Sequence, residues 1–113
     1  MTGQTIREDA LKFIVELAQF CDTVSGKAVF INQILRSASS IGANAYEANY
    51  AQSTADFINK LEISLKECYE TEYWLEVLHR TETMSDSEYK KFTEQCGSIR
   101  RKLISAITNT KKS

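Results

Sequence analysis

The chain has 113 residues, no proline, four glycines and a formal net charge of −1. That length holds one domain with a real core and is too short for two, and near-neutrality excludes a generally nucleic-acid-coating protein while leaving room for a local basic patch. Residues that interrupt helices are almost missing, and β-branched residues never alternate with period two over a strand length, so the composition predicts an all-α protein.

The first helix is predicted over residues 5–24. Thr5 and Glu8 have capping-box spacing, in which each side chain satisfies the other's free backbone N–H. Ile6, Ala10, Ile14, Leu17, Cys21 and Val24 recur at three- and four-residue intervals and give one apolar face. Ser25-Gly26 ends the helix, because glycine tolerates the left-handed conformation that follows a last turn. A second helix is predicted over residues 27–49, with Ile31, Ile34, Leu35, Ala38, Ile41, Gly42 and Ala45 toward the core. Arg36, Ser40, Asn44 and Glu47 fall within about 80° of one another on its other side. Arg36 and Glu47 are the only charges between Ala28 and Ala55, and a helix so poor in charge is expected to be covered on both sides. Gly42 costs roughly 1 kcal/mol against alanine in mid-helix, which predicts close approach of a neighbouring backbone.

The third helix is predicted over residues 54–81. Ser53 supplies its cap and Asp56 the negative charge favoured in a first turn. Phe57, Leu61, Leu65, Cys68 and Leu75 make one face; Ile63, Trp74 and Val77, with Glu67 and Glu70 beside them, make a second, roughly opposed. One core cannot bury both, so a second contact surface is expected, most simply another subunit. The predicted subunit interface is therefore Arg36, Ser40, Asn44 and Glu47 with Ile63, Glu67, Glu70, Trp74 and Val77. Arg36, if covered, is expected to meet Glu67 or Glu70, within the subunit or across an interface. A fourth helix is predicted over residues 86–108, opened by a Ser85/Glu88 capping box, with Tyr89, Phe92, Cys96, Ile99, Leu103 and Ile107 on its apolar face. Residues 109–113 are expected to fray. Four long helices with short links predict a single domain over residues 1–113, an antiparallel up-down-up-down four-helix bundle.

Catalytic chemistry finds little support in the residues. Cys21, Cys68 and Cys96 match no zinc or redox spacing and fall on apolar faces, as buried free thiols do. Glu76 and His79 have the Glu-x-x-His spacing of di-iron bundles, but the motif occurs once and His79 is the only histidine; near a helix end it suits the macrodipole. Glu72 lies close to the apolar face, where a partly buried hydrogen-bonding group or a bundle-edge residue is much commoner than a general acid. Trp74, Tyr69 and Tyr73 could stack on bases, though aromatic residues on a second helix face more often anchor a protein interface. No oriented nucleophile or glycine-rich phosphate loop is present. The expectation is a non-enzyme with no catalytic, cofactor or metal site and no small-molecule substrate. The N-terminal stretch lacks a signal peptide's apolar core, and no apolar run approaches the ~20 residues that cross a bilayer, so a cytoplasmic protein without a membrane partner is expected.

Charge is unevenly placed. Residues 56–88 carry nine acids against Lys60, Lys66 and Arg80, whereas residues 89–113 carry seven bases against Glu94. The simplest account is mutual compensation between antiparallel neighbours. The alternative is a basic surface on the fourth helix, centred on Arg100, Arg101 and Lys102, that meets nucleic-acid phosphates.

The run Arg36-Ser37-Ala38-Ser39-Ser40-Ile41-Gly42-Ala43-Asn44 with Glu47 is followed by Phe57, Leu61-Glu62-Ile63-Ser64-Leu65-Lys66-Glu67 and Glu70-Thr71-Glu72-Tyr73-Trp74-Leu75. This ordered combination resembles the four-helix-bundle protein family, also called the 23S rRNA intervening-sequence protein family. Where the family often has an acidic residue and glycine after its Asn, this chain reads Tyr46-Glu47-Ala48. The resemblance implies an antiparallel four-helix bundle that assembles as a homopentamer, with no enzymatic activity. It also implies kinship with a strongly basic branch, the accessory proteins of diversity-generating retroelements, which bind nucleic acid.

Overall fold

The computed structural model describes residues 2–112. Four helices account for nearly all of them: α1 (Thr2–Cys21), α2 (Ala28–Ala48), α3 (Thr54–Arg80) and α4 (Asp86–Lys112). No strand is present among the described residues. α1 packs on α2, α2 on α3, α3 on α4 and α4 back on α1, and neither diagonal pair meets. Neighbours run antiparallel. Ala10 lies against Gly42 and Arg7 over Tyr46; Ser64 bonds to Ile41 and Thr71 to Ser37. The up-down-up-down bundle predicted from helix number and link length is the fold.

Helix ends show which local rules held. Ser53 Oγ accepts from the Asp56 N–H at 3.0 Å, and Asp56 Oδ2 accepts from the Gln52 N–H at 3.2 Å. Ser85 and Glu88 form the expected reciprocal box, at 3.0 and 3.2 Å. The first helix departs from expectation: it already runs from Thr2, so Thr5 lies inside it and is not its cap. No proline stops the helix from continuing back. Its other end comes early, at Cys21, where the Thr23 hydroxyl donates to the Phe20 carbonyl at 2.7 Å. Gly26 (φ 74°) and Lys27 (φ 60°) then turn the chain through the left-handed region into α2. The helix α3 ends in a Schellman arrangement: the Glu82 N–H donates to His79 O at 3.0 Å and the Thr83 N–H to Leu78 O at 2.9 Å, with Glu82 at φ 60°. α4 continues to Lys112 instead of fraying after residue 108, held there by the Thr110 hydroxyl on Ala106 O and by Lys111 beside Glu62; Ser113 lies outside the described residues.

The core is built from the predicted stripes with a few additions. Ile6, Ala10, Leu17, Ile34, Ile41, Leu61, Cys68, Leu75, Cys96, Ile99 and Leu103 are buried. Ile14, Val24, Ile31, Leu35, Phe57, Leu65 and Tyr89, predicted for the same core, are only partly buried at its margin. Phe13 and Phe20 extend the Ile6 row at seven-residue spacing and meet Phe92 from α4, with ring centroids 6.3 and 5.9 Å apart. Leu78 and Met84 close the bottom of the bundle. Between α2 and α3 runs a buried polar seam. Ser64 Oγ donates to Ile41 O at 2.7 Å, and the Thr71 and Ser37 hydroxyls lie 2.8 Å apart, with the Glu67 and Ile34 carbonyls as further acceptors. All three hydroxyl residues are fully buried, and each finds a partner, as burial of a polar group requires.

Candidate functional site

The small residues of α2 decide what lies on its two flanks. Gly42 brings α1 close: a Cβ there would meet Ala10 Cβ at 3.3 Å, which is the close approach expected of a mid-helix glycine. On the α3 flank stand Arg36, Ser40, Asn44 and Glu47, one to each turn or so. Arg36 forms an ion pair with Glu70 and lies 3.5 Å from Glu67 Oε1. Its partners are therefore found within the chain, as the sequence allowed. Trp74 Nε1 donates to Glu70 Oε2 at 3.0 Å. That bond, and then the Arg36 guanidinium, holds the Glu70 carboxyl below its ordinary range, while Glu70 raises Arg36 in turn. Asn44 Nδ2 donates to Ser40 O at 2.9 Å and to Ser40 Oγ at 3.0 Å. Glu47 pairs with Lys60 at 3.0 Å. One acceptor is left over: Glu67 Oε1 is buried yet accepts no hydrogen bond.

The second apolar face of α3 is less opposed to the core than its residue spacing predicted. Trp74 is partly buried against the core, and its ring lies 6.1 Å from that of Phe30 in α2. Ile63 and Val77 are half-buried. More exposed apolar surface lies elsewhere, on α1 and α2 at positions that periodicity did not single out and on α3 at Tyr69 and Tyr73. Leu11 and Val15 are 55 % and 48 % exposed on α1, Val29 is 69 % exposed, and Tyr69 and Tyr73 stand out from α3. A seven-residue walk along α1 would have shown Leu11 and Val15 off the core stripe, the signal that was available.

The basic residues of α4 are largely engaged inside the chain. Arg100 donates to Glu72 at 3.0 Å and Lys111 sits 3.2 Å from Glu62, both on α3. Lys102 pairs with Asp9, and Lys91 with Glu16 at 2.8 Å, both on α1. Compensation is thus shared between α3 and α1, where the sequence reading assigned it to α3 alone. Arg101 points outward, exposed, with no ion pair among the described residues. Of the two readings of Glu72, the partly buried hydrogen-bonding group is the one found, accepting from Arg100. His79 stacks on Tyr89 with centroids 4.2 Å apart and lies 2.6 Å from Asp86. Among the described residues no group of three or more His, Cys, Asp or Glu side chains converges to hold a metal ion. No helix among them is long and apolar enough to cross a membrane.

No functionally curated protein matches the chain. It is similar to the crystal structure of a protein with unknown function from the S23 ribosomal protein family of Bacteroides thetaiotaomicron. The two share 43 % identity over 96 % of this chain and 99 % of that one, with a TM-score of 0.90. The sequence profile of the 23S rRNA-intervening sequence proteins matches residues 4–105. Taken with four antiparallel helices and the Arg36–Glu70 face built from the residues that carry the resemblance, this places the chain in the 23S rRNA-intervening sequence protein family.

Proposed function

We propose that the protein is a non-enzymatic assembly module: a homo-oligomeric bundle, five copies by the family resemblance, whose subunit contacts are built by the flanks of α2. The observation that carries this is the pairing of a charge-poor α2 with surface on both its sides that a monomer leaves half-covered. Arg36, Ser40, Asn44, Ile63, Glu67 and Trp74 lie on one flank; Leu11, Val15 and Tyr46 lie on the other. Apolar and small residues set among a few internally satisfied polar groups are what a subunit contact presents. The test is native mass by light scattering coupled to size exclusion. Five times the 12.8 kDa of one chain is expected; a 12.8 kDa species at all concentrations would overturn the reading.

A second reading, nucleic-acid binding by α4, has exposed Arg101 in its favour, with Lys90 and Lys112 also exposed on the same helix. Binding that weakens steeply with salt, and that Arg101→Glu abolishes while the fold persists, would support it.

A further inference from the structure

A pair of thiols lies across the α3–α4 seam. Cys68 and Cys96 are both fully buried, and Cys96 Sγ donates to the Cys68 carbonyl oxygen at 3.6 Å. The same approach brings the two thiols within hydrogen-bonding reach of each other. Cys21 is the last residue of α1, the helix diagonal to α3, and those two helices do not meet. Over the thiol pair runs an ion pair. Glu72 and Arg100 stand one turn beyond Cys68 and Cys96 on helices of opposite direction, and helical side chains lean back toward their own N-termini. The two therefore reach toward each other across the thiol level, Arg100 Nε donating to Glu72 Oε2 at 3.0 Å. Both charges act on Cys96, and both side chains are partly exposed. The seam thus has two thiols inside and one ion pair as its outer wall.

We propose that Cys68 and Cys96 are an oxidative cross-linking site, joined as an α3–α4 disulfide by hydrogen peroxide. The proposal goes beyond the assembly reading and does not depend on it. In the closed bundle both thiols are sealed from solvent, and Cys96 is held protonated by its neighbour and by burial. A protonated thiol is a poor nucleophile, so reaction waits for a local parting of the seam that begins with loss of the Glu72–Arg100 contact. One thiol then releases its proton and its sulfur attacks the peroxide. An S–O bond forms, the O–O bond breaks, and the departing oxygen takes up the proton and leaves as water. The sulfenic acid so formed meets the second thiol on the facing helix. An S–S bond forms, the S–O bond breaks, and the hydroxyl leaves as a second water with the proton of that thiol. Two thiols and one hydrogen peroxide give one disulfide and two waters, the sulfurs losing two electrons and the peroxide gaining them. A resolving thiol so near intercepts the sulfenic acid before a second peroxide can carry it to the irreversible sulfinic acid. The product ties together residues 28 apart in sequence, so that α3 and α4 can no longer separate at this level.

The experiment treats the full native chain with hydrogen peroxide at mildly alkaline pH, then denatures it in iodoacetamide and maps the digested peptides by mass, so that methionine oxidation is read separately. The expected result is a linked Cys68–Cys96 peptide, lighter by two hydrogens than the reduced pair, with Cys21 still free to alkylate. The same oxidant on the urea-unfolded chain is expected to link Cys21 as well, because there only the folded geometry has been removed. Glu72→Gln, checked for unchanged helical circular dichroism, is expected to form the cross-link about two- to fivefold faster, the range that a partly exposed ion pair allows. Cys68 and Cys96 both still free, after a time in which iodoacetamide labels Cys96 in the native protein, would overturn the site. So would sulfinic acid on either residue without a link, or a native cross-link that uses Cys21 or joins two chains. A Glu72→Gln rate equal to that of the wild type would overturn the ion pair as the gate.

Discussion

Glu82 stands where the backbone of a Schellman ending favours glycine. Its φ of 60° brings Cβ against the following carbonyl, a strain of roughly 1–2 kcal/mol for an L-residue. Two hydrogen bonds to the end of α3 and the burial of Met84 just beyond keep it there. Glu82→Gly is expected to raise the unfolding free energy by about 1 kcal/mol, glycine's larger unfolded-state entropy offsetting part of the relief. An urea midpoint that rises with unchanged slope would show it; a lower midpoint would mean the carboxylate stabilises the turn in some other way. This residue was illegible in the sequence, because the usual sign of a helix end is glycine and none is present. By contrast, Ser53, Asp56, Ser85 and Glu88 were legible, since capping depends on side chains only three residues apart.

At the scale of helices, the α2–α3 pair shows how charge is placed. Glu70 is partly exposed, so its pairing with Arg36 is worth well under the figure a buried pair would have, roughly 0–1 kcal/mol. Arg36→Ala is accordingly expected to cost less than about 1 kcal/mol in a denaturant titration of the isolated chain. A sign follows for acid. Glu70 lies below its ordinary value of 4.5 because Trp74 and then Arg36 bond its charged form. Its contribution is thus present above the unfolded-state value and is lost as pH falls through the lower folded-state value. Wild type should lose more stability between pH 6 and pH 3 than Glu70→Gln, and equal losses would remove Glu70 from the account. That Arg36 would meet Glu67 or Glu70 was legible from charge scarcity in α2. The partition of α4's bases between α3 and α1 was not, because segment totals say nothing about which neighbour a given helix face meets.

The whole molecule followed from helix count and the lack of breakers, since four amphipathic stripes with short links have few ways to close a core. The apolar stripe of α1 already leaves Leu11 and Val15 off the core face; the full burial of Phe13 beside them was not legible, because apolar residues at successive positions of one turn are ambiguous until the neighbours are placed. The three thiols report on the closed bundle. Burial pushes Cys21 up to about 11, and the Cys96 thiol, which donates to the Cys68 carbonyl oxygen, is raised by its hydrogen bond to Cys68 and then by burial. Iodoacetamide at pH 8 is expected to leave all three unmodified in the native protein and to label them only at the rate of opening. Rapid labelling of Cys96 would place a local opening between α3 and α4.

The hydroxyl seam between α2 and α3 has a mechanical consequence. Two purely apolar stripes can slide past each other by a turn and still bury most of their surface, which is the ambiguity that lets helical hairpins misalign. Ser37, Ser64 and Thr71 act like the teeth of a key. A one-turn slip would strand the Ser64 hydroxyl, whose acceptor is Ile41 O on the other helix, at about 1–3 kcal/mol, and would break the Ser37–Thr71 bond, although each of those two hydroxyls keeps a carbonyl of its own helix. The seam therefore fixes the register of α2 on α3, and with it the height at which Arg36 meets Glu67 and Glu70.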